Sequence, residues 1–329
     1  MPSIAPLDSD ETAFGHIELA AFVGDVPVFA SVDGRVHLLG DRHQQVALHS
    51  GLLAACLTHA RKSLITSGED GKVCRLAADG SLDVLASHPG WWIDKLACGP
   101  GAMIAYGTGK KGIVLFPDDS QKPLTCERSI EGLAFAPRGM RLAIARYNGV
   151  DLNWFNTGNP SQFLEWKGAH TGVVFSPDGK YVVSTMQENA LHGWRIFDGK
   201  HMRMTGYPAK VKSLSFSAKG RWLASSGAPA AIVWPFFGKD GPMGKAPREL
   251  GGFGGGLMVS EVSCHPGEEV VAIGYLDGMI MAVRIEDGKE AVLKRAGKGA
   301  ISSLGWDRAG TRIAYGTEAG EAGVIDLKG

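Results

Sequence analysis

The sequence has few of the features that mark a secreted or membrane protein. It holds five cysteines in 329 residues, an odd number spread widely, which does not suggest a disulfide framework. We interpret them as free thiols, with Cys98 and Cys264 serving as small buried apolar side chains. No stretch approaches the ~18 apolar residues of a membrane span. The segment MPSIAPLDSDETAF lacks the basic and apolar regions of a secretory signal. We therefore expect a cytoplasmic protein.

Net charge is also absent. Lys plus Arg number 34 and Asp plus Glu number 34, so the formal net charge is zero. A neutral chain lacks the positive field that tight nucleic-acid binding requires, and we expect no nucleic-acid partner. The local basic residues are interpreted as solvated loop charge; they are Lys110, Lys111, Lys294, Arg295 and Lys298.

The sequence motifs of several enzyme classes are missing as well. There is no Gly-x-Ser-x-Gly elbow, no P-loop and no dinucleotide fingerprint. The glycine-rich run 251–256 has no following Lys-Ser/Thr and no helix to supply a dipole, so we interpret it as a loop. The ten histidines are too widely spaced to form one local metal site. We expect no catalytic, cofactor-binding or metal-binding residues, and no cofactor.

What the sequence does contain is a repeat. The segment VVFSPDGKYVVSTMQENALHGW at 173–194 recurs in altered form as LAFAPRGMRLAIARYNGVDLNW at 133–154 and LSFSAKGRWLASSGAPAAIVW at 214–234. Each copy shows a strand, a tight turn, a second strand, a second turn and a third strand. Repetition at a period of roughly 40 residues is typical of a β-propeller.

Aligning the copies gives eight units. A large apolar residue follows the second turn of every unit at the same offset, as Leu39 follows Gly34 and Trp194 follows Asn189. The units span residues 14–39, 52–76, 93–116, 130–155, 171–196, 210–236, 259–285 and 300–327. Apolar stretches between units, such as LDVLAS at 82–87 and EAVLK at 290–294, suit a fourth, outer strand.

The pattern resembles the WD-repeat (tryptophan–aspartate repeat) family over residues 14–327. FSPDGKYVVS at 175–184 is close to the family's text for its first two strands. The Trp-Asp pair itself is missing, because Trp154, Trp194 and Trp234 precede Phe, Arg and Pro. The family's buried polar tetrad is incomplete. One unit has His49, Ser67 and Asp70 but Leu76, and another has His170, Thr185 and Trp194 but Glu188.

We therefore predict an all-β fold, a closed β-propeller of four-stranded blades forming a single domain over residues 1–329. Eight blades are favoured, and seven remain if the first unit is irregular. The last unit ends at Leu327 with no room for a fourth strand. We expect the N-terminal segment Ser3–Asp8 to supply that strand and close the ring, which protects the sheet edges.

The resemblance implies that loops between blades, and between second and third strands, share one face of the disk. The aromatic and charged residues there are the candidates for partner binding: Trp91, Trp92, Lys110, Arg146, Tyr147, His170, Phe253 and Tyr275. Trp91 and Trp92 are adjacent, so both cannot point inward from an extended segment. Aromatic and Arg side chains dominate binding energies at interfaces.

These observations predict a non-catalytic scaffold that presents loop residues to a protein or peptide partner. An alternative is a metal- or small-ligand-binding protein, or an enzyme, that uses the axial channel of the propeller. The Gly- and Pro-rich segment 236–259 is interpreted as a surface loop, and self-association through it is a further alternative.

Overall fold

The computed structural model of the protein describes residues 3–6, 15–155, 157–253 and 255–328. Within these ranges almost every regular element is a β-strand. The contacts divide the chain into two compact units. Unit 1 comprises Met1–Leu48, Ala78–Gly80 and Lys212–Gly329, and unit 2 comprises His49–Ala77 and Ser81–Val211.

Unit 1 consists of four antiparallel sheets of four strands each. The first contains β2 (Ile17–Val23), β3 (Val26–Ser31), β4 (Arg35–Leu39) and β5 (His43–Ala47). The second contains β20 (Leu214–Phe216), β21 (Trp222–Ser225), β22 (Ala231–Pro235) and β23 (Arg248–Leu250). The third contains β24 (Val259–Cys264), β25 (Val270–Tyr275), β26 (Ile280–Arg284) and β27 (Glu290–Lys294). The fourth contains β28 (Ile301–Trp306), β29 (Arg312–Thr317), β30 (Ala322–Asp326) and β1 (Ser3–Pro6).

Unit 2 consists of two four-stranded sheets and one six-stranded sheet. The first contains β6 (Leu52–Leu57), β7 (Ser63–Gly68), β8 (Lys72–Ala77) and β9 (Leu82–Ser87). The second contains β10 (Lys95–Cys98), β11 (Ile104–Thr108), β12 (Lys111–Leu115) and β13 (Gln121–Thr125), with a short 3₁₀ turn at Pro100–Ala102. The third contains β14 (Gly132–Phe135), β15 (Arg141–Trp154), β16 (Gln162–Phe175), β17 (Tyr181–Met186), β18 (Leu191–Arg195) and β19 (His201–Met204). In the described ranges no helix is long and apolar enough to cross a membrane.

The six-stranded sheet corrects the expected number of blades. The predicted fourth and fifth repeat units both lie in it, so the strands form seven sheets and not eight separate blades. The cause is the length of β15 and β16, which have 14 residues each and pair with one another. The chain passes from one repeat unit into the next within β16, which begins as the outer strand of the fourth unit and ends as the first strand of the fifth; register shifts lie at Tyr147/Gly149 and at His170/Gly172. The first unit, expected to be the weakest, forms a regular sheet.

The N-terminal strand pairs with the last strand of the chain. Ser3 to Pro6 of β1 lie antiparallel to Asp326 to Gly323 of β30, so β1 is the fourth strand of that sheet. Pairing of this kind covers an edge whose backbone groups would otherwise be free to bind another strand. Leu7 and Asp8, which the prediction also included, lie outside the described residues.

The second strands carry the core because they are buried on both faces. Every residue of β17 is buried, as are five of the six residues of β7. Their β-branched and small side chains fill the space between adjacent sheets within a unit. In unit 2 one such cluster joins Ile65, Ile93, Ile104 and Tyr106. Burial of these side chains, at roughly 25 cal/mol per Å² of apolar surface, is the main source of stability.

Two remnants of the polar tetrad survive with altered partners. His49 shares hydrogen bonds of 2.9 Å with Asp70 Oδ1 and with Thr66 Oγ1, whereas Ser67 donates to the carbonyl of Ile93. The tetrad pattern predicts Ser67 as the hydroxyl partner of this histidine. Side chains alternate across a strand, so only one of two neighbouring hydroxyls can lie on the histidine side.

The second remnant shows the same shift by one residue. His170 Nδ1 shares a 2.7 Å hydrogen bond with Ser184 Oγ, while Thr185, the predicted partner, contacts the hydroxyl of Thr171 at 3.0 Å. The register shift at His170/Gly172 accompanies this change of partner. The tetrad pattern therefore located the histidines correctly and missed both of their hydroxyl partners.

Candidate functional site

The loop between β9 and β10, residues 88–94, is held tightly against the turn between β7 and β8. The His88 N–H donates to the Gly71 carbonyl (2.8 Å), and the Ile93 N–H donates to the Gly68 carbonyl (3.3 Å). Gly71 has φ of +72°, and a Cβ there would lie 2.1 Å from the His88 carbonyl oxygen. Only glycine permits this approach. We call residues 88–94 the tryptophan loop.

The two tryptophans of this loop have different environments. Trp91 is half-buried and stacks on His88, with ring centres 4.7 Å apart and planes 26° apart. His88 Nε2 in turn shares a 2.9 Å hydrogen bond with the buried Tyr106 hydroxyl, whose pKa burial raises to about 12. Trp92 is 62% exposed. The expectation that one tryptophan faces solvent is met by Trp92, and Trp91 forms its support.

Further exposed side chains lie at the same end of the neighbouring sheets of unit 2. In an antiparallel sheet the turn between the second and third strands and the connection after the fourth strand share one end. Lys110 occupies such a turn and is exposed, and Arg128 occupies such a connection and is exposed. The Ile130 N–H donates to the Gly109 carbonyl (2.7 Å), which joins the two loops.

Tyr147 extends this set of residues. It is 50% exposed and borders a cavity of about 380 Å³. The cavity is lined by Arg128, Ser129, Glu131, Tyr147, Ala169, Thr171 and Gln187. We call Trp92, Lys110, Arg128 and Tyr147 the loop surface of unit 2. Arg128 was not among the predicted residues, although it follows a fourth strand as the tryptophan loop does one sheet earlier.

Arg146 is less available than predicted. Its guanidinium forms an ion pair with Asp151 and lies 4.0 Å from the ring centre of Phe163. The side chain is 12% exposed. A bidentate ion pair combined with a cation–π contact fixes the group against its own sheet. Arg146 therefore stabilises the six-stranded sheet, and its role in binding a partner stays a prediction.

The prediction that His170 is displayed to a partner was wrong. The residue is fully buried, bonded through Nδ1 to Ser184 and donating from Nε2 to the Trp166 carbonyl at 2.9 Å. Burial lowers its pKa below the ordinary value for histidine, which keeps the ring neutral. A partner cannot touch this side chain, because both nitrogens and both faces are enclosed.

Tyr275 and Phe253 belong to unit 1 and pack together. Tyr275 is fully buried, donates its hydroxyl proton to the Gly251 carbonyl, and meets the half-buried Phe253 edge-to-face with ring centres 5.5 Å apart. Burial raises the pKa of Tyr275 above its ordinary range. Both residues hold the glycine-rich segment against β25, so the prediction of displayed side chains was wrong for Tyr275.

The segment 236–259 is more structured than a surface loop. It contains β23, and Phe236 is buried edge-to-face against Phe216 with ring centres 5.0 Å apart. Phe237 is 37% exposed and packs on Trp222, with Lys245 Nζ 4.6 Å from its ring centre. Segment 236–259 thus folds back onto the sheet β20–β23.

The described residues contain no group of three or more His, Cys, Asp or Glu side chains placed to hold a metal ion. Where two histidines do come together with a tryptophan, their rings form an aromatic cluster. The rings of His192, Trp166 and His201 form a triangle, in which the His192 centre lies 4.0 Å from Trp166 and 5.2 Å from His201, and the Trp166 and His201 centres lie 5.0 Å apart. Burial lowers the pKa of His192 to about 3.

The sequence relatives match only part of the chain. No family model matches it. The periodic tryptophan protein 2 homolog of Schizosaccharomyces pombe is 24% identical over 37% of this chain, and telomerase protein component 1 of Rattus norvegicus is 26% identical over 46%. These matches span 14% and 6% of the two relatives' own lengths.

Solved structures match far more of it. The computationally designed Ika8 protein superposes with a TM-score of 0.75 and 18% identity, covering 96% of this chain and 98% of that one. The WD40 repeats of RRP9 give 0.63 at 15% identity, covering 84% of this chain and 93% of theirs. U3-55K gives 0.64 at 14% identity, covering 84% and 95%. The sheets, their strand order and these likenesses confirm the predicted resemblance at the level of the fold: the chain has the WD-repeat β-propeller fold.

Proposed function

We propose that this protein is a non-catalytic interaction scaffold that binds a protein or peptide through the loop surface of unit 2. The observation that carries the proposal is the contrast within the tryptophan loop. Trp92 exposes 62% of its surface while its backbone is fixed by the Gly68–Gly71 turn and its neighbour Trp91 is stacked on His88. A rigid, exposed tryptophan loses little conformational entropy on binding, which makes it an efficient anchor.

The composition of the loop surface indicates the kind of partner it fits. Trp92 and Tyr147 offer aromatic area, and Lys110 and Arg128 offer positive charge around it. The cavity beside Tyr147 is large enough, at about 380 Å³, to take one side chain of a partner. These features suit a segment that combines an apolar side chain with acidic residues.

The remaining parts of the interpretation belong to the same proposal. We infer that pairing of β1 with β30 closes the ring of sheets, that the protein acts in the cytoplasm, and that nucleic acid is not its ligand. The name of one relative, telomerase protein component 1, describes a part of a larger assembly, which is consistent with a scaffold. A fluorescent fusion locates the protein, and a nuclease-treated sample tests whether any captured partner depends on nucleic acid.

The test compares two exposed aromatic residues of unit 2. Wild type, Trp92→Ala and Phe197→Ala are used to capture partners from the native host, with quantification by mass spectrometry. Phe197 is 78% exposed and lies in the turn between β18 and β19, at the opposite end of its sheet from the loop surface. A partner retained by Phe197→Ala and lost with Trp92→Ala supports the proposal.

Three results would count against it. A partner retained by Trp92→Ala, and also by Tyr147→Ala, would mean that another surface binds. A dimeric mass in solution that is abolished by changes in 236–259 would favour self-association. Stoichiometric metal in the purified protein would favour the alternative of a metal-binding protein.

A further inference from the structure

Two cysteines that are distant in sequence meet in unit 2. Cys56 lies in β6 and Cys98 ends β10, and their Sγ atoms are 2.8 Å apart. Both side chains are half-buried, and both pack against the apolar cluster that contains Ile93 and Tyr106. The first strands of two neighbouring sheets are thus brought together at a pair of free thiols.

The geometry of the pair is close to that of a covalent bond. A disulfide joins sulfur atoms about 2.05 Å apart, so the two thiols need to move by less than about 1 Å to become bonded. The other three cysteines have different surroundings: Cys74 is buried in β8, Cys126 follows β13, and the Cys264 thiol lies 3.3 Å from the Ser215 carbonyl. Packing alone does not require sulfur at these two positions, since the corresponding last two residues of a first strand are Ala134 and Phe135 in β14 and Gly305 and Trp306 in β28.

We propose that Cys56 and Cys98 form a site of reversible oxidation, at which a peroxide converts the two thiols into a disulfide that links β6 to β10. In the first step one sulfur attacks the peroxide, gaining an oxygen atom and becoming a sulfenic acid while water leaves. In the second step the other sulfur attacks the sulfenic sulfur, the S–S bond forms and a second water leaves. The thiols lose two electrons and two protons, and hydrogen peroxide is reduced to two molecules of water.

The environment of the pair sets the conditions for this reaction. The hydrogen bond between the two thiols, together with burial, raises the pKa of Cys56, so its thiolate is scarce at neutral pH. Because the thiolate is the reactive form, oxidation should accelerate as the pH rises. The cross-link closes a loop of 42 residues and restricts the unfolded chain, so the oxidised protein should unfold at a higher temperature.

The experiment treats the folded full-length protein with hydrogen peroxide, quenches it, and alkylates the remaining thiols under denaturing conditions. Intact mass should show alkylation falling from five sites to three, because two thiols are consumed. Trypsin should release the peptides 43–61 and 96–110 joined to each other, and dithiothreitol should separate them. The melting temperature should rise on oxidation and return on reduction.

Matched variants identify the pair. Cys56→Ser and Cys98→Ser should each abolish the linked peptide, whereas Cys126→Ser should retain it. If either serine variant fails to fold, the wild-type peptide map decides the question by itself, with protein oxidised in denaturant as the comparison for random pairing. The proposal is overturned if folded wild type yields no linked peptide, or if peroxide drives these cysteines to sulfinic acid without joining them.

Discussion

The indole of Trp91 stacks on the imidazole of His88 at a centroid separation of 4.7 Å, and this contact leaves Trp92 as the displayed member of the pair. Replacing the two tryptophans separately should therefore give different results. Trp92→Ala should change the free energy of unfolding by no more than about 0.5 kcal/mol. Trp91→Ala removes half-buried aromatic surface and leaves a gap beside His88, and it should cost about 2 kcal/mol. Urea unfolding followed by circular dichroism measures both. Equal losses would mean that Trp92 also supports the fold.

Ser184 should matter more for stability than Thr185, the residue that the sequence selected. Ser184→Ala leaves His170 Nδ1 buried without its 2.7 Å partner, a change that costs about 1–3 kcal/mol. Thr185→Ser is the control, because it keeps the hydroxyl that meets Thr171. The melting temperatures of the two variants decide between them. A loss in Ser184→Ala no larger than the loss in the control would mean that the bond between Ser184 and His170 adds nothing to stability.

Any side chain at position 149 should destabilise the fold. Gly149 has φ of +150°, and a Cβ would lie 2.2 Å from the Leu164 carbonyl oxygen, at the register shift that joins β15 to β16. Gly149→Ala should therefore destabilise the protein by about 2 kcal/mol or more. Gly158→Ala serves as the control, because nothing lies within 4 Å of a Cβ there. Thermal unfolding of both variants provides the measurement, and equal melting temperatures would contradict the described geometry.

His192 should make the protein sensitive to acid. In the part of the chain that the structure describes, neither of its ring nitrogens has a hydrogen-bond partner. Burial, with the nearby charges of His201, His170 and Arg203, lowers its pKa to about 3 in the folded protein, against about 6.5 in an unfolded chain. Between these values the unfolded state binds more protons, so the free energy of unfolding falls as the pH drops from about 6.5 toward 3, by at most about 1.4 kcal/mol per pH unit.

The variant His192→Phe isolates this contribution. Phenylalanine supplies a ring of similar shape for the contacts with Trp166 and with His201, and it cannot take up a proton. Urea unfolding at about pH 7.5 and about pH 4.5 should show a smaller loss of stability in the variant than in wild type. Identical losses in the two proteins would show that other histidines, such as His170 and His49, carry the whole effect.

Much of the fold was predictable because strands and turns have local causes. The segments LDVLAS and EAVLK were assigned as outer strands and form β9 and β27 with the expected bounds. The Gly34 turn adopts φ of +89°, as a tight hairpin connection requires. Fusion of two repeat units into one sheet was not predictable, because it depends on β16 continuing without a break from the outer strand of one unit into the first strand of the next.

The candidate site was predicted less well, for a related reason. Residue type and loop position favoured Trp92, Lys110 and Tyr147, and all three are exposed. The same criteria favoured His170 and Tyr275, which are fully buried. Alternation along a strand shows which side chains share a face, and it does not show whether a neighbouring sheet covers that face. Arg128 was not predicted because its place at the cavity depends on residues from two different loops and from β15 and β16.

The sequence by itself determined that this protein is built from repeated antiparallel strands, since periodic apolar residues and turn glycines act over a few positions. Only the tertiary structure decided which of two adjacent tryptophans is displayed, which hydroxyl meets each buried histidine, and that Cys56 meets Cys98. Those outcomes depend on contacts between strands that lie tens of residues apart. Such contacts are set by how the sheets within a unit pack, and no local pattern in the sequence records them.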